Sequence, residues 1–181
     1  FTVSIVGYTN AGKSTLMNAL TEIDTFVEDK RFATLDTKTS ICKLENGKKV
    51  LMSDTVGFIQ KLPHHLVSSF KATLEEARHA DLLLHVADMS SPLVHKQIEA
   101  VNAVLKELGC DKKAPIMVLN KIDAIKEDAI IPLLQSRYKD CILISAKTHQ
   151  GIQDLKRRIE KMLERSFMNV ELTCSTGNGK L

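Results

Sequence analysis

The sequence predicts an α/β fold in three layers, with a mainly parallel six-stranded sheet, one antiparallel edge hairpin and helices on both faces. Three observations carry this. Short apolar runs at Val3–Val6, Leu82–Val86, Ile116–Leu119 and Cys141–Ile144 alternate with stretches whose apolar residues recur at helical spacing. That order lays parallel strands side by side beneath crossover helices. The runs are almost unbroken by polar residues, as strands buried on both faces are. One pair differs: residues 40–45 alternate, Asn46-Gly47 follows, and Val50-Leu51-Met52 returns, so a tight hairpin joins two antiparallel neighbours.

In chain order, Val3–Val6 gives the first strand, and the helical spacing of Leu16 to Leu20 the first helix. Residues 22–38 are polar and without sustained period, which predicts a mobile loop before the hairpin. From His64 onward, Leu66, Phe70, Leu74 and Ala77 fall at helical spacing. After the strand Leu82–Val86, Val94, Ile98, Val101, Leu105 and Leu108 make an amphipathic helix that starts beyond Pro92 and stops at Gly109. Ile116–Leu119, a short helix around residues 128–136, the strand Cys141–Ile144 and a helix carrying Ile152, Leu155, Ile159 and Met162 complete the alternation. Residues 1–167 are read as one domain, and 168–181 as a tail that begins a further domain or a linker.

Length and composition suit that reading. A chain of 181 residues, 44% of them apolar, can bury one sizeable core. No apolar run approaches the ~20 residues that span a bilayer. The start at Phe1, without methionine, reads as an excised domain. The four cysteines form no C-x-x-C pair and have no histidine cluster, which points to a reducing cytoplasm and away from zinc or disulfides. A formal charge of +3 permits a nucleic-acid partner without requiring one.

The stretch Gly7-Tyr8-Thr9-Asn10-Ala11-Gly12-Lys13-Ser14-Thr15 fits G-x-x-x-x-G-K-[ST] between the first strand and the first helix, which makes it a P-loop and the fold that of P-loop NTPases. Gly7 and Gly12 permit the tight turn and let backbone N–H groups close around phosphate oxygens. The following helix turns its positive N-terminal end to the same anion. Lys13 is expected to reach the β- and γ-phosphates and Ser14 to ligate Mg²⁺. Asp54-Thr55-Val56-Gly57 closes the returning strand of the hairpin. Asp54 is expected to hold Mg²⁺ through a water, and the Gly57 N–H to meet the γ-phosphate, so this segment senses whether that phosphate is present.

Asn120-Lys121-Ile122-Asp123 resembles the N-K-x-D element of GTPases and follows a buried strand. Asp123 can accept from guanine N1–H and the exocyclic N2–H₂. Adenine offers neither donor there, and a site built on such bonds can discriminate by roughly 10⁴ or more. Asn120 is expected to brace the P-loop and touch the base, and Lys121 to lie over the ring plane. Ser145-Ala146-Lys147 matches the S-A-K element whose backbone meets guanine O6. The expected ligand is GTP or GDP. GTPases also use a loop threonine to cap Mg²⁺ and the γ-phosphate; Thr34, Thr37 and Thr39 all compete for that role by position.

Taken together, the P-loop G-Y-T-N-A-G-K-S, the loop F-A-T-L-D, the segment D-T-V-G-F with L-P-H-H-L after it, T-L-E-E-A-R-H-A-D-L-L-L-H-V and N-K-I-D resemble the GTPase domain of HflX, in the TrmE–Era–Obg–HflX superfamily, over about residues 2–165. The resemblance implies Thr34 as the second protein ligand of Mg²⁺ and Phe32-Ala33-Thr34-Leu35-Asp36 as the first switch. Thr37 stands where many relatives have proline. The resemblance also implies a cytoplasmic switch that binds the large ribosomal subunit, through rRNA and protein, splits or rescues stalled ribosomes and is activated by them. The isolated domain is expected to be a monomer. Alternatives are an Era- or Obg-like assembly GTPase, or a module that senses GTP with negligible turnover.

Phe58 follows Gly57 where many GTPases carry the glutamine that orients the attacking water, and a phenyl ring cannot do this. Gln60 lies two residues on. Slow intrinsic hydrolysis, raised by a partner, is therefore expected. Lys13, Thr34 and Gly57 are the expected catalytic groups, joined by Asn10, which in several superfamily members helps place K⁺ against the phosphates. Asn10 bonded only within its own loop is the competing reading. His64 and His65 read first as solvated polarity and second as a catalytic base; Lys48, Lys49, Lys61, Lys71, Arg78, His79, Lys156, Arg157, Arg158 and Lys161 read first as solvated faces and second as contacts to RNA phosphates. His85 reads as a satisfied core histidine.

Overall fold

The structure, a computed structural model, describes residues 1–21, 38–54, 77–110, 113–125 and 130–167. Six strands form one sheet: β1 (Thr2–Gly7), β2 (Lys38–Lys43), β3 (Lys49–Asp54), β4 (Leu82–Asp88), β5 (Ile116–Asn120) and β6 (Ile142–Leu143), in the order β2-β3-β1-β4-β5-β6. Every neighbouring pair is parallel except β2 and β3, which run antiparallel from Lys38 opposite Asp54 to Lys43 opposite Lys49. The predicted edge hairpin is therefore present. Its turn closes through Leu44 N–H to the Lys48 carbonyl at 2.9 Å, with the Asn46 side chain accepting from Lys48 N–H at 2.9 Å.

Among the described residues the sheet is accompanied by the helices α1 (Lys13–Thr21), α2 (Val94–Glu107), α3 (Ile130–Arg137) and α4 (Ile152–Ser166). The helix expected from His64 falls outside the described residues, apart from the helical residues 77–79. Gly109, at φ 69°, ends α2 as predicted, with Cys110 N–H returning to the Leu105 carbonyl at 2.9 Å. The expected strand Cys141–Ile144 is shorter, Ile142–Leu143; Ile144 N–H still donates to the Leu119 carbonyl of β5 at 2.9 Å, and beyond it Ser145 N–H turns to Gln150.

Alternation along β1 sends Val3 and Ile5 to one face and Ser4 and Val6 to the other. On the first face Leu16, Met17 and Leu20 of α1 and Leu155 and Ile159 of α4 complete a core with Met52, Leu84, Val86 and Val118. On the second, Val6 and Leu83 pack with Val101 and Leu105 of α2, and Leu119 with Ile98 and Leu134. Burying each such side chain stabilises the fold by about 1.5–3 kcal/mol. His85 lies in this second layer, 1% exposed; its Nδ1 has no hydrogen-bond partner among the described residues, so it is less satisfied than the sequence suggested. The register brings Gly7, Asp54, Asp88 and Asn120 to the carboxyl ends of β1, β3, β4 and β5, along one edge of the sheet. Ligands of open α/β sheets bind at that edge.

Candidate nucleotide-binding site

The loop between β1 and α1 is held by short internal bonds. Ala11 N–H donates to the Tyr8 carbonyl at 3.2 Å, and Leu16 N–H to the Gly12 carbonyl at 2.9 Å as α1 begins. Both predicted glycines are sterically required. A Cβ on Gly7 would run into the Val86 carbonyl oxygen of β4, and one on Gly12, at φ 92°, into the Asn120 side-chain amide. Asn10 takes φ 61°, a left-handed conformation that asparagine tolerates better than most residues, and it is exposed. Thr15 is exposed in the first turn of α1.

Lys13 is buried, and its ammonium donates to the Tyr8 carbonyl at 3.1 Å. Burial holds its pKa below the usual lysine value, and the Asp54 carboxylate partly offsets this. The strand end of β3 thus lies within electrostatic reach of the loop. Ser14 Oγ donates to Asp54 Oδ2 at 2.7 Å, while Asp54 Oδ1 is buried without a hydrogen-bond partner among the described residues. A hydroxyl and a carboxylate so joined, with an unmatched buried oxygen beside them, are the hard oxygen donors that Mg²⁺ takes, directly or through water. The residues present fit that ion.

At the other end of the loop, Asn120 is buried and uses both ends of its amide. Its Nδ2 donates to the Ala11 carbonyl at 2.9 Å, and its Oδ1 accepts from Ala146 N–H at 3.0 Å. It therefore fastens the P-loop to the segment after β6. Asp123, exposed in a single 3-10 turn (Ile122–Ala124), accepts from Ser145 Oγ at 2.7 Å; that hydroxyl in turn accepts from Thr148 N–H at 3.1 Å. Ile122 N–H bonds the Ile144 carbonyl at 3.2 Å, which locks the two loops together. Lys147 is exposed beside them. Because Ala146 N–H already serves Asn120, any contact of this donor with guanine O6 has to be shared.

Ser14 and Asp54 thus meet at the P-loop, and Asn120 links the same loop to Ala146, next to the bonded Asp123 and Ser145. Phe32–Asp36, with Thr34, lie outside the described residues, as do Thr37, Thr55, Val56, Gly57, Phe58, Gln60, His64 and His65. Of the competing threonines, Thr39 lies within β2, opposite Ser53. Sequence reasoning missed Asp88, which binds Lys121 Nζ at 2.7 Å. Like Asp54 it is an acid at the carboxyl end of a buried apolar run, but no motif spacing surrounds it to mark it out. The basic residues of the last helix do not form one free patch. Lys156 is buried with its ammonium 3.3 Å from the Lys43 carbonyl, and Arg157 pairs with Asp154 at 2.5 Å. Lys48 lies 5.1 Å from the Phe167 ring centroid.

The family model described as "50S ribosome-binding GTPase" matches residues 2–121. The chain is 48% identical to the GTPase HflX of Chlamydia pneumoniae over 171 residues, and 52% identical to that of Caldanaerobacter subterraneus subsp. tengcongensis over 161 residues. These matches cover 94% and 89% of this chain, and 36% of the length of each relative. Among solved structures, a GTP-binding protein from Sulfolobus solfataricus in complex with GDP superposes with a TM-score of 0.71 at 29% identity, covering 91% of this chain and 52% of that one. The matched residues run from β1 through the P-loop to Lys121 of the N-K-x-D segment, and the chain belongs to this family of P-loop GTPases, with a G domain similar to that of HflX.

Proposed function

We propose that this chain is the G domain of an HflX-like switch that binds GTP with Mg²⁺, hydrolyses it slowly alone, and turns over faster on the large ribosomal subunit. The observation that carries the nucleotide reading is the junction at Asn120, which ties the P-loop carbonyl of Ala11 to the Ser145–Ala146 turn and so sets Asp123 at a fixed distance from the phosphate cradle. In this reading the loop N–H groups and the Lys13 ammonium take the β- and γ-phosphates. A phosphate partner restores the charge that burial disfavours on Lys13. Ser14 and Asp54 hold the metal, with Thr34 as the second protein ligand. Mg²⁺, when bound, neutralises charge developing on the phosphate oxygens. Asp123 reads the guanine edge, Lys121 covers the ring, and Thr34 and Gly57 report the γ-phosphate to the switches.

The ribosomal partner and a cytoplasmic site of action rest on the similarity to HflX and on the wording of the family description. No described helix is long and apolar enough to cross a membrane. Phe58 after Gly57 gives the second reading, a sensor that scarcely turns over. Single-turnover hydrolysis of GTP with and without purified 50S subunits decides between them. Stimulation of about 10-fold or more supports the switch, whereas equal rates remove the ribosomal activator. Asn10 as a K⁺ ligand adds one arm: hydrolysis is expected to be faster in KCl than in NaCl, and equal rates in the two salts discard the potassium site.

A further inference from the structure

We infer that Asp88 is a positioning residue of the base site: it holds Lys121 in the pose that covers the guanine ring. The inference rests on the nucleotide reading above and goes beyond it by assigning an acid from a different strand.

Five observations meet here. The parallel register sets Asp88 of β4 opposite Asn120 of β5, so the acid stands beside the residue preceding Lys121. Met89 N–H donates to the Asn120 carbonyl at 2.9 Å and fixes the two strand ends together. Lys121 is left-handed, at φ 68° and ψ 37°, a costly conformation for a lysine that turns the chain sharply after β5. Its side chain then passes the P-loop, since a Cβ built on Gly12 would lie 3.9 Å from Lys121 Cε. Beyond that point the ammonium is 2.7 Å from Asp88 Oδ2.

The carboxylate is itself fixed. Its Oδ1 accepts from Ser90 N–H at 2.9 Å and from Ser90 Oγ at 2.6 Å, which leaves Oδ2 for the lysine. The pair is partly shielded, with Lys121 34% and Asp88 17% exposed, so solvent screens it less than a surface pair. A lysine stem with four rotatable bonds loses much freedom when it is ordered against a ligand. Ordering it in advance moves that cost out of the binding step. Asp88 does this without touching the nucleotide.

The merely structural alternative is that Asp88 only caps the Ser90 turn. Asp88→Asn separates the two, because the asparagine Oδ1 still accepts from both Ser90 donors, while the NH₂ that replaces Oδ2 is only a donor and cannot accept from the ammonium. The measurement is stopped-flow release of mant-GDP from the wild-type chain, Asp88→Asn, Lys121→Met, their double variant, and Ser90→Ala. Asp88→Asn and Lys121→Met are each expected to release mant-GDP about 10-fold faster, and the double variant also about 10-fold faster, because both changes remove one interaction. Ser90→Ala is expected to stay within about 2-fold. Release from Asp88→Asn within about 2-fold of wild type, or a double variant near the roughly 100-fold product, overturns the proposal. If Asp88→Asn does not fold, Asp88→Glu is read instead: it keeps the charge and is expected within about 3-fold of wild type, and release as fast as from Lys121→Met overturns the assignment. A wild-type chain that binds no mant-GDP overturns the nucleotide reading first and this assignment with it. Tight wild-type binding with an unchanged Asp88→Asn overturns this assignment alone.

Discussion

Asn120 is the residue on which the two halves of the site depend. It is 2% exposed, and its amide joins a P-loop carbonyl to a backbone N–H of the loop after β6. Replacing it by alanine strands one donor and one acceptor, and each buried group left unpaired costs about 1–3 kcal/mol. Asn120→Ala is therefore expected to lose about 2–6 kcal/mol of stability in urea denaturation, apart from any loss of nucleotide. A loss below about 1 kcal/mol would show that water replaces both bonds. The asparagine was legible from spacing, because N-K-x-D after an apolar strand has few other uses. Asp88 was not, although it touches the same motif. A single acid at a strand end carries no spacing signal, and its partner comes from a strand 33 positions away that only the sheet register makes adjacent.

Among the elements, β4 shows how a strand can serve the site at one end and impose a constraint at its centre. Asp88 closes it, while His85 is enclosed in the layer facing α2. Burial lowers the His85 pKa to about 4, against a smaller opposing hydrogen bond with Asn102. The unfolded chain, with a histidine near 6.5, takes up the proton first as pH falls. Stability from this group is therefore full above pH 6.5 and is lost progressively toward pH 4. His85→Leu removes that titration. Between pH 7 and 4.5 the wild-type chain is expected to lose about 2–3 kcal/mol more than the variant. Equal losses in urea denaturation at the two pH values would mean that His85 is solvated or paired. The sequence read His85 as core from its apolar neighbours, but the missing Nδ1 partner depends on packing that periodicity does not contain. For the same reason β6 was read too long: four apolar residues predict a strand, yet after the Ile144 N–H bond to Leu119 the Ile144 carbonyl and the Ser145 N–H are taken by Ile122 and Gln150.

For the whole molecule, the sheet order places the P-loop strand between β3 and β4, so Asp54, the P-loop and the Asn120–Asp123 and Ser145–Lys147 turns all rise from neighbouring strand ends. That topology was legible because each motif follows an apolar run, and the Asn46-Gly47 turn identifies the antiparallel exception. The switch segments are a different matter. Residues 32–36 were assigned by resemblance, since three threonines compete by position alone, and they lie outside the described residues with Gly57. The proposed guanine recognition rests on Asp123, held by Ser145 Oγ, and on Asn120, which joins that turn to the P-loop. It is tested by titrating the wild-type chain and Asp123→Asn with mant-labelled GDP, ADP and XDP. The wild-type chain is expected to prefer GDP over ADP by roughly 10⁴, and Asp123→Asn to prefer XDP, because the new amide donates to the xanthine C2 carbonyl while its oxygen accepts from N1–H. Wild-type affinity for ADP within about 10-fold of that for GDP, or an unchanged GDP preference in Asp123→Asn, would contradict the guanine site.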